Sequence, residues 1–207
     1  MVKGWYDGGV KRVADVATSL IAITLGSVPV ALSSLAICME SPGAPIFRQE
    51  RIGKDGVHFG MWKLRTMYAD AEQNVDSYLT AEQQEQWERE RKVEDDPRVT
   101  KVGRFLRESS LDELPQFLNV LVGEMSVVGP RPVTAEELTW FGDNVDEVLS
   151  VRPGITGYWQ TFARNDATWE SGERQEMELR YVRTMSLSMD ARICLRTVGA
   201  ILGMTGR

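Results

Sequence analysis

The stretch "VATSLIAITLGSVPVALSSLAICM" (Val16–Met39) decides what kind of fold this chain adopts. No residue in it is charged. A bilayer core is about 30 Å thick, and a helix of about 20 residues crosses it. Length and hydropathy alone therefore predict one transmembrane helix. Two features predict something else. Gly26, Ser27 and Pro29 fall mid-segment, and an interior proline removes a backbone donor and clashes with the preceding turn. A break there leaves halves of about 12 residues, about 18 Å each, too short to cross. Charge is the second feature. Lys3, Lys11 and Arg12 precede the segment, and Arg48, Arg51 and Lys54 follow it. Cations favour the cytoplasmic side, and here both flanks carry them. A re-entrant segment over residues 11–40, broken at Ser27 and Pro29, satisfies both observations. Asp7, Asp15 and the length of the apolar run fit a secretory signal poorly.

Beyond this segment, 207 residues suit a single domain, with 41–207 as its globular part. The net charge of −6 and pI near 5.0 argue against nucleic acid as a partner, because such binding neutralises phosphates with surplus cations. Two cysteines, Cys38 and Cys194, both in apolar runs, predict no disulfide framework. With a single histidine, His58, a zinc site or a Ser-His-Asp triad is a poor expectation. His58 reads as structural.

The fold class reads as α+β, mainly helical with a small β-hairpin. "PIFRQ" and "VHFGMWKL" are strand-like runs joined by "GKDG", a hairpin signal. Residues 70–92 read as a solvated helical excursion, with a capping box at Thr80–Gln83. Leu111, Leu114, Phe117, Leu118, Leu121 and Val122 recur at helical spacing, predicting one apolar face, and Gly123 predicts the stop. "MSVVGPRP" and "VRPGITGYWQ" predict an extended run and rigid Pro/Gly loops. The tail, residues 186–204, reads as an amphipathic helix that packs on the core or lies in a membrane interface.

Within "SSLDELPQFLNVLVGEMSVVGPRP" (Ser109–Pro132), Asp112 and Glu113 admit two readings. Ser110 and Glu113 match a capping box, and acids in a first turn suit the helix dipole. Against capping alone stands Pro115, whose missing N–H costs a hydrogen bond just beyond the first turn. In the other reading the acids form a site. Carboxylates act as covalent nucleophiles in phosphoryl transfer, and Mg²⁺ takes oxygen ligands beside phosphates. Lys63, Arg65, Arg104, Arg107 and Arg131 surround them in sequence, and arginine's planar fork matches phosphate oxygens. Arg131 lies between Pro130 and Pro132, which holds its backbone rigid. Trp159 and Trp169 flank a polar loop, "TFARND".

With these motifs in hand, the chain resembles the bacterial sugar transferases, specifically the small monotopic phosphoglycosyl transferases. The resemblance rests on "KRVADV" with its apolar segment, "GAPIFRQERIGKDGVHFGMWKLRTM", "DPRVTKVGRFLRESSLDELPQFLNVLVGEMSVVGPRP" and "RPGITGYWQ". It implies a single catalytic domain, re-entrant in the cytoplasmic leaflet of the bacterial inner membrane and facing the cytoplasm, with interfacial amphipathic helices. It implies an Asp112–Glu113 dyad that also holds Mg²⁺. It implies transfer of a sugar-1-phosphate from a UDP-sugar to polyprenyl phosphate, with release of UMP and a phosphosugar-Asp intermediate. Lys63, Arg107, Pro130 and Arg131 look like the family's substrate contacts. The family's break is often an adjacent Ser-Pro, whereas here Val28 separates Ser27 from Pro29. "ARNDATW" resembles members that transfer N-acetylated amino sugars. Two other readings are a UDP-sugar hydrolase and a non-catalytic membrane-anchored assembly module. An oligomer is compatible with all three.

Overall fold

The computed structural model describes residues 6–71, 73–90, 93, 95–163 and 169–203. Lys3, Met204 and the centre of "ARNDATW" lie outside them. Helix α1 (Lys11–Glu40) comes first, followed by the antiparallel hairpin β1 (Ile46–Ile52) and β2 (His58–Leu64). After a single turn at Val75–Tyr78, the longer helices that follow are α2 (Ala81–Glu90), α3 (Lys101–Glu108), α4 (Gln116–Val122) and α5 (Glu173–Thr184). The tail helix is α6 (Leu187–Leu202). Between α4 and α5, strand β3 (Ser126–Val128) pairs in parallel with β4 (Gly154–Thr156), and one-turn helices fill the connection. The described chain is thus mainly helical with two small sheets.

Helix α1 is built inside-out. The residues it buries against the body are Lys11, Asp15, Ser19, Gly26, Ser33 and Ile37. Its large apolar residues are mostly exposed: Val13, Leu20, Ile21, Leu25, Val28, Leu32, Leu35 and Met39. Leu25 is 73% exposed and Met39 80%. In water that arrangement is unfavourable, because it strands apolar area in solvent. In lipid it is the expected one, since small residues let helices approach closely while aliphatic side chains face the hydrocarbon.

The expected break at Ser27 and Pro29 is not seen. The helix runs without interruption from Lys11 to Glu40, with Pro29 inside it. A proline deletes one ladder bond, and a long helix tolerates that loss when its neighbours hold it. Here Ser27 Oγ donates to the Thr24 carbonyl at 2.8 Å, and Thr24 Oγ1 donates to the Leu20 carbonyl at 2.8 Å.

Polar contacts tie both ends of α1 to one body. At the start, Lys11 Nζ reaches Asp190 Oδ2 at 2.5 Å, and Arg12 donates to the Val120 and Leu121 carbonyls at 2.5 and 2.8 Å. Those carbonyls lie at the end of α4, where a helix leaves acceptors unpaired. One turn on, Asp15 accepts from Ser126 Oγ and Val127 N–H. At the far end, the Glu40 carboxylate accepts from Lys101 and Val102 N–H at 2.8 and 2.9 Å, capping α3 beside Thr100. Between the ends, Ile37, Leu64 and Leu106 form a core cluster with Val30 and Leu111.

The hairpin follows expectation, with "KDG" at its tip and Ile46 opposite Leu64. The Thr80–Gln83 capping box is present in both directions. "VRPGITGYWQ" is more than a loop: it supplies β4 and opens the short helix Tyr158–Phe162. The tail helix divides its apolar residues. Ile193 is fully buried against Val128, Tyr181 and Val182, while Leu195 and Val198 face outward. Both cysteines are free thiols, and exposed His58 pairs with Glu50 at 2.6 Å.

Candidate active site

The expected helix from Leu111 to Val122 is two pieces. Ser110 adopts a left-handed conformation, with φ of 56°, and turns the chain out of α3 into a 3-10 turn at Leu111–Glu113. Its hydroxyl caps nothing, so the Ser110–Glu113 capping box is absent; the left-handed backbone aims the side chain away from the N–H groups a cap would serve. Pro115 opens α4 and costs no ladder bond there. Gly123 ends α4 with φ of 96°, as a left-handed stop should. The expected apolar face is partly turned outward: Leu118 and Val122 are exposed, whereas Val120, outside that face, is fully buried.

This turn holds Asp112 and Glu113 in a short, rigid link between two helices. Asp112 is 8% exposed, while Glu113 is half-buried. Lys63 Nζ lies 3.9 Å from Asp112 Oδ2 and 3.7 Å from Glu113 Oε1, so one ammonium bridges both acids. Burial pushes the Asp112 carboxyl up to about 6, opposed by the Lys63 and Arg107 charges and reinforced by Glu113. Arg107, half-buried, comes from the last turn of α3, and burial depresses its pKa. Its Nε donates to Thr66 Oγ1 at 2.9 Å.

Strand β2 reaches this place because Asn119 clamps it. The Asn119 amide donates to the Gly60 carbonyl and to Glu124 at 2.8 and 2.7 Å, and its oxygen accepts from Trp62 N–H at 3.0 Å. Lys63 is the next residue. Asn119 is fully buried, with both amide donors and its oxygen bonded. Neither Asn119 nor Thr66 was singled out from the sequence. The available signal for Asn119 was a polar residue inside the apolar run "QFLNVLV".

The other cations have protein partners of their own. Arg65 donates to the Pro42 and Ser41 carbonyls at 2.6 and 2.8 Å, clasping the exit from α1. Arg104 is exposed and faces Asp95 at 3.7 Å. Arg131 gives its N–H to Glu178 Oε1 at 3.0 Å, and its guanidinium lies 4.0 Å from Glu137. That N–H is the only backbone donor from Pro130 to Pro132, so Glu178 fixes the turn. Burial pushes Glu178 up to about 7. Arg174 is sandwiched by Trp159 and Trp169, at 3.7 and 4.5 Å from the ring centroids.

Leu114 follows the dyad and packs on Gly26, where an added Cβ would meet Leu114 Cδ1 at 3.4 Å. The residue directly after the dyad therefore packs on the middle of the apolar helix. Asp112 and Glu113 offer carboxylate oxygens, the donor type a hard cation takes, beside the Lys63 ammonium, and among the described residues no cluster of three or more His, Cys, Asp or Glu gathers.

A family model described as "Bacterial sugar transferase" matches residues 6–204. The chain belongs to the bacterial sugar transferase family. It is 38% identical to the UDP-galactose-lipid carrier transferase of Erwinia amylovora, across 95% of this chain and 41% of that protein. It is 37% identical to the UDP-glucose:undecaprenyl-phosphate glucose-1-phosphate transferase of Escherichia coli (strain K12), across 91% of this chain and 39% of that one. It thus spans less than half the length of these two relatives. The exopolysaccharide production protein ExoY of Rhizobium meliloti (strain 1021) is 40% identical, across 94% of this chain and 86% of its own length.

Proposed function

We propose that this chain transfers a sugar-1-phosphate from a UDP-sugar to polyprenyl phosphate, an early membrane step of glycoconjugate assembly, and releases UMP. The observation that carries this reading is a buried Asp112, bridged with Glu113 by Lys63 and followed by Leu114, which packs on an apolar helix. The relatives' names, which specify UDP-sugars and a lipid carrier, support it.

In this reading an Asp112 oxygen attacks the β-phosphorus of the UDP-sugar. A P–O bond to the carboxylate forms, the bond to the bridging oxygen breaks, and UMP leaves with the electron pair. An oxygen of the polyprenyl phosphate then attacks the same phosphorus, and Asp112 departs as a carboxylate. The covalent intermediate lets one small site serve a soluble donor and a lipid acceptor in turn. Lys63 and Arg107 offset the negative charge that the diphosphate brings. Asp112 and Glu113 would hold Mg²⁺, which supplies further neutralisation of phosphate charge when bound.

We further propose a monotopic placement in the cytoplasmic leaflet of the bacterial inner membrane, with the outward apolar face of α1 in the hydrocarbon. Polar contacts near both ends of the continuous helix tie it along its length to one globular body, which favours a helix lying against one leaflet over one crossing both. The apolar surface beside the dyad favours a lipid acceptor over water, and so transfer over hydrolysis.

The test is UMP release from a panel of UDP-sugars, with and without polyprenyl phosphate. Lipid-linked sugar diphosphate is expected; free sugar phosphate formed equally well without lipid identifies a hydrolase instead. Asp112→Asn is expected to abolish transfer and the attachment of labelled sugar-phosphate to protein. Full turnover by that variant removes Asp112 as nucleophile.

A further inference from the structure

We infer that Thr66 is a positioning residue for Arg107, holding the guanidinium so that its outer fork faces a diphosphate bound at the Asp112–Glu113 dyad. The inference rests on the proposed transferase reading for the identity of that diphosphate. Its geometry stands apart from it.

Thr66 lies just past the end of β2, three residues beyond Lys63, and is 7% exposed. Its backbone is locked to the start of α3. Thr100 N–H donates to the Thr66 carbonyl at 3.1 Å, and Met67 bridges to Val99 on the antiparallel edge. Gly103, in the first turn of α3, packs so closely that an added Cβ would collide with the Thr66 carbonyl. Strand end and helix therefore have one fixed separation. Across it, the Thr66 hydroxyl accepts from Arg107 Nε at 2.9 Å. Among the described residues, the two terminal amines of Arg107 make no hydrogen bond to protein.

That division of labour matters for a long, flexible side chain. An arginine held only by its stem samples many rotamers, and ordering it on ligand binding costs entropy. Fixing Nε sets the plane of the guanidinium and leaves the paired outer amines to grip two phosphate oxygens at once. Valine has the shape of threonine without the acceptor, so Thr66→Val removes the hydroxyl bond and little else. Serine restores the acceptor.

The experiment is calorimetric titration of the full chain in detergent with UDP and Mg²⁺, alongside UMP release from a UDP-sugar. Thr66→Val is expected to weaken UDP binding about tenfold, with Thr66→Ser within about threefold of the native chain. In an Arg107→Gln background, Thr66→Val is expected to add nothing, because its effect passes through Arg107. Independent, additive losses overturn the inference, and so does UDP binding by Thr66→Val equal to that of the native chain. Absence of UDP binding by the native chain overturns it as well. If the native chain binds UDP but releases no UMP from any UDP-sugar, the transferase reading fails, while the binding cycle still decides the role of Thr66.

Discussion

At the scale of the residue, two neighbouring acids take different environments. Asp112 is buried and raised to about 6, while Glu113 stays half-buried beside the same lysine. A nucleophilic carboxylate must be ionised, so the rate of UMP formation is expected to fall as pH drops through about 6. A rate that stays flat down to pH 5 contradicts an Asp112 nucleophile with that ionisation. Stability carries the opposite sign. The folded-state value lies above the unfolded one, so ionising Asp112 costs folding free energy, a cost that grows from about pH 4 and is complete above about pH 6. Metal-free Asp112→Asn is therefore expected to be more stable at pH 8 than the native chain, by on the order of 1–3 kcal/mol. The difference should vanish near pH 4, and a thermal-melting series across pH checks it. Neither environment was legible in the acids themselves. "SLDE" matched a capping box, and only the left-handed Ser110 shows that no cap forms.

At the scale of the element, α1 and α3 brace the dyad from two sides. Leu106, almost fully buried among Ile37 and Leu64, is the apolar anchor of α3. Leu106→Ala is expected to cost about 2–5 kcal/mol, and denaturant unfolding of the detergent-solubilised protein reads it. Such a loss would also loosen Arg107 one residue on. Periodicity located the hairpin well, because alternation and turn residues are local signals. It misread the segment from Leu111 to Val122, where helical spacing runs through a 3-10 turn and a proline. Exposed Leu118 and Val122 keep the helical spacing but face away from the body. Spacing cannot distinguish a core-facing stripe from a lipid-facing one, since both remove apolar area from water.

At the scale of the whole molecule, the inverted pattern of α1 is the dominant feature. Polar and small residues touch the protein, and leucine and valine face out. Binding to vesicles is expected to depend on that outer face. Leu25→Arg, at a position 73% exposed, is expected to lower the fraction that floats with anionic vesicles several-fold without changing the fold seen by circular dichroism. Cysteines placed at either end of α1 are expected to label from the same side of the membrane; labelling from opposite sides would establish a crossing helix. The sequence by itself determined that an uncharged segment of bilayer length exists, that Pro29 interrupts its pattern, and that two acids stand among cations. Those are properties of composition and order along the chain. Only the tertiary structure decided that α1 stays continuous, because contacts to Asp190, Leu114 and α3 support its ends and middle where Pro29 leaves the ladder one bond short. Only it decided which cations join the dyad. Lys63 arrives through the Asn119 clamp and Arg107 is held by Thr66, while Arg65 and Arg131 bond to backbone and acid partners of their own. A charge near another in sequence becomes a partner only where packing brings the two within a few ångströms, and packing is a property of the whole fold.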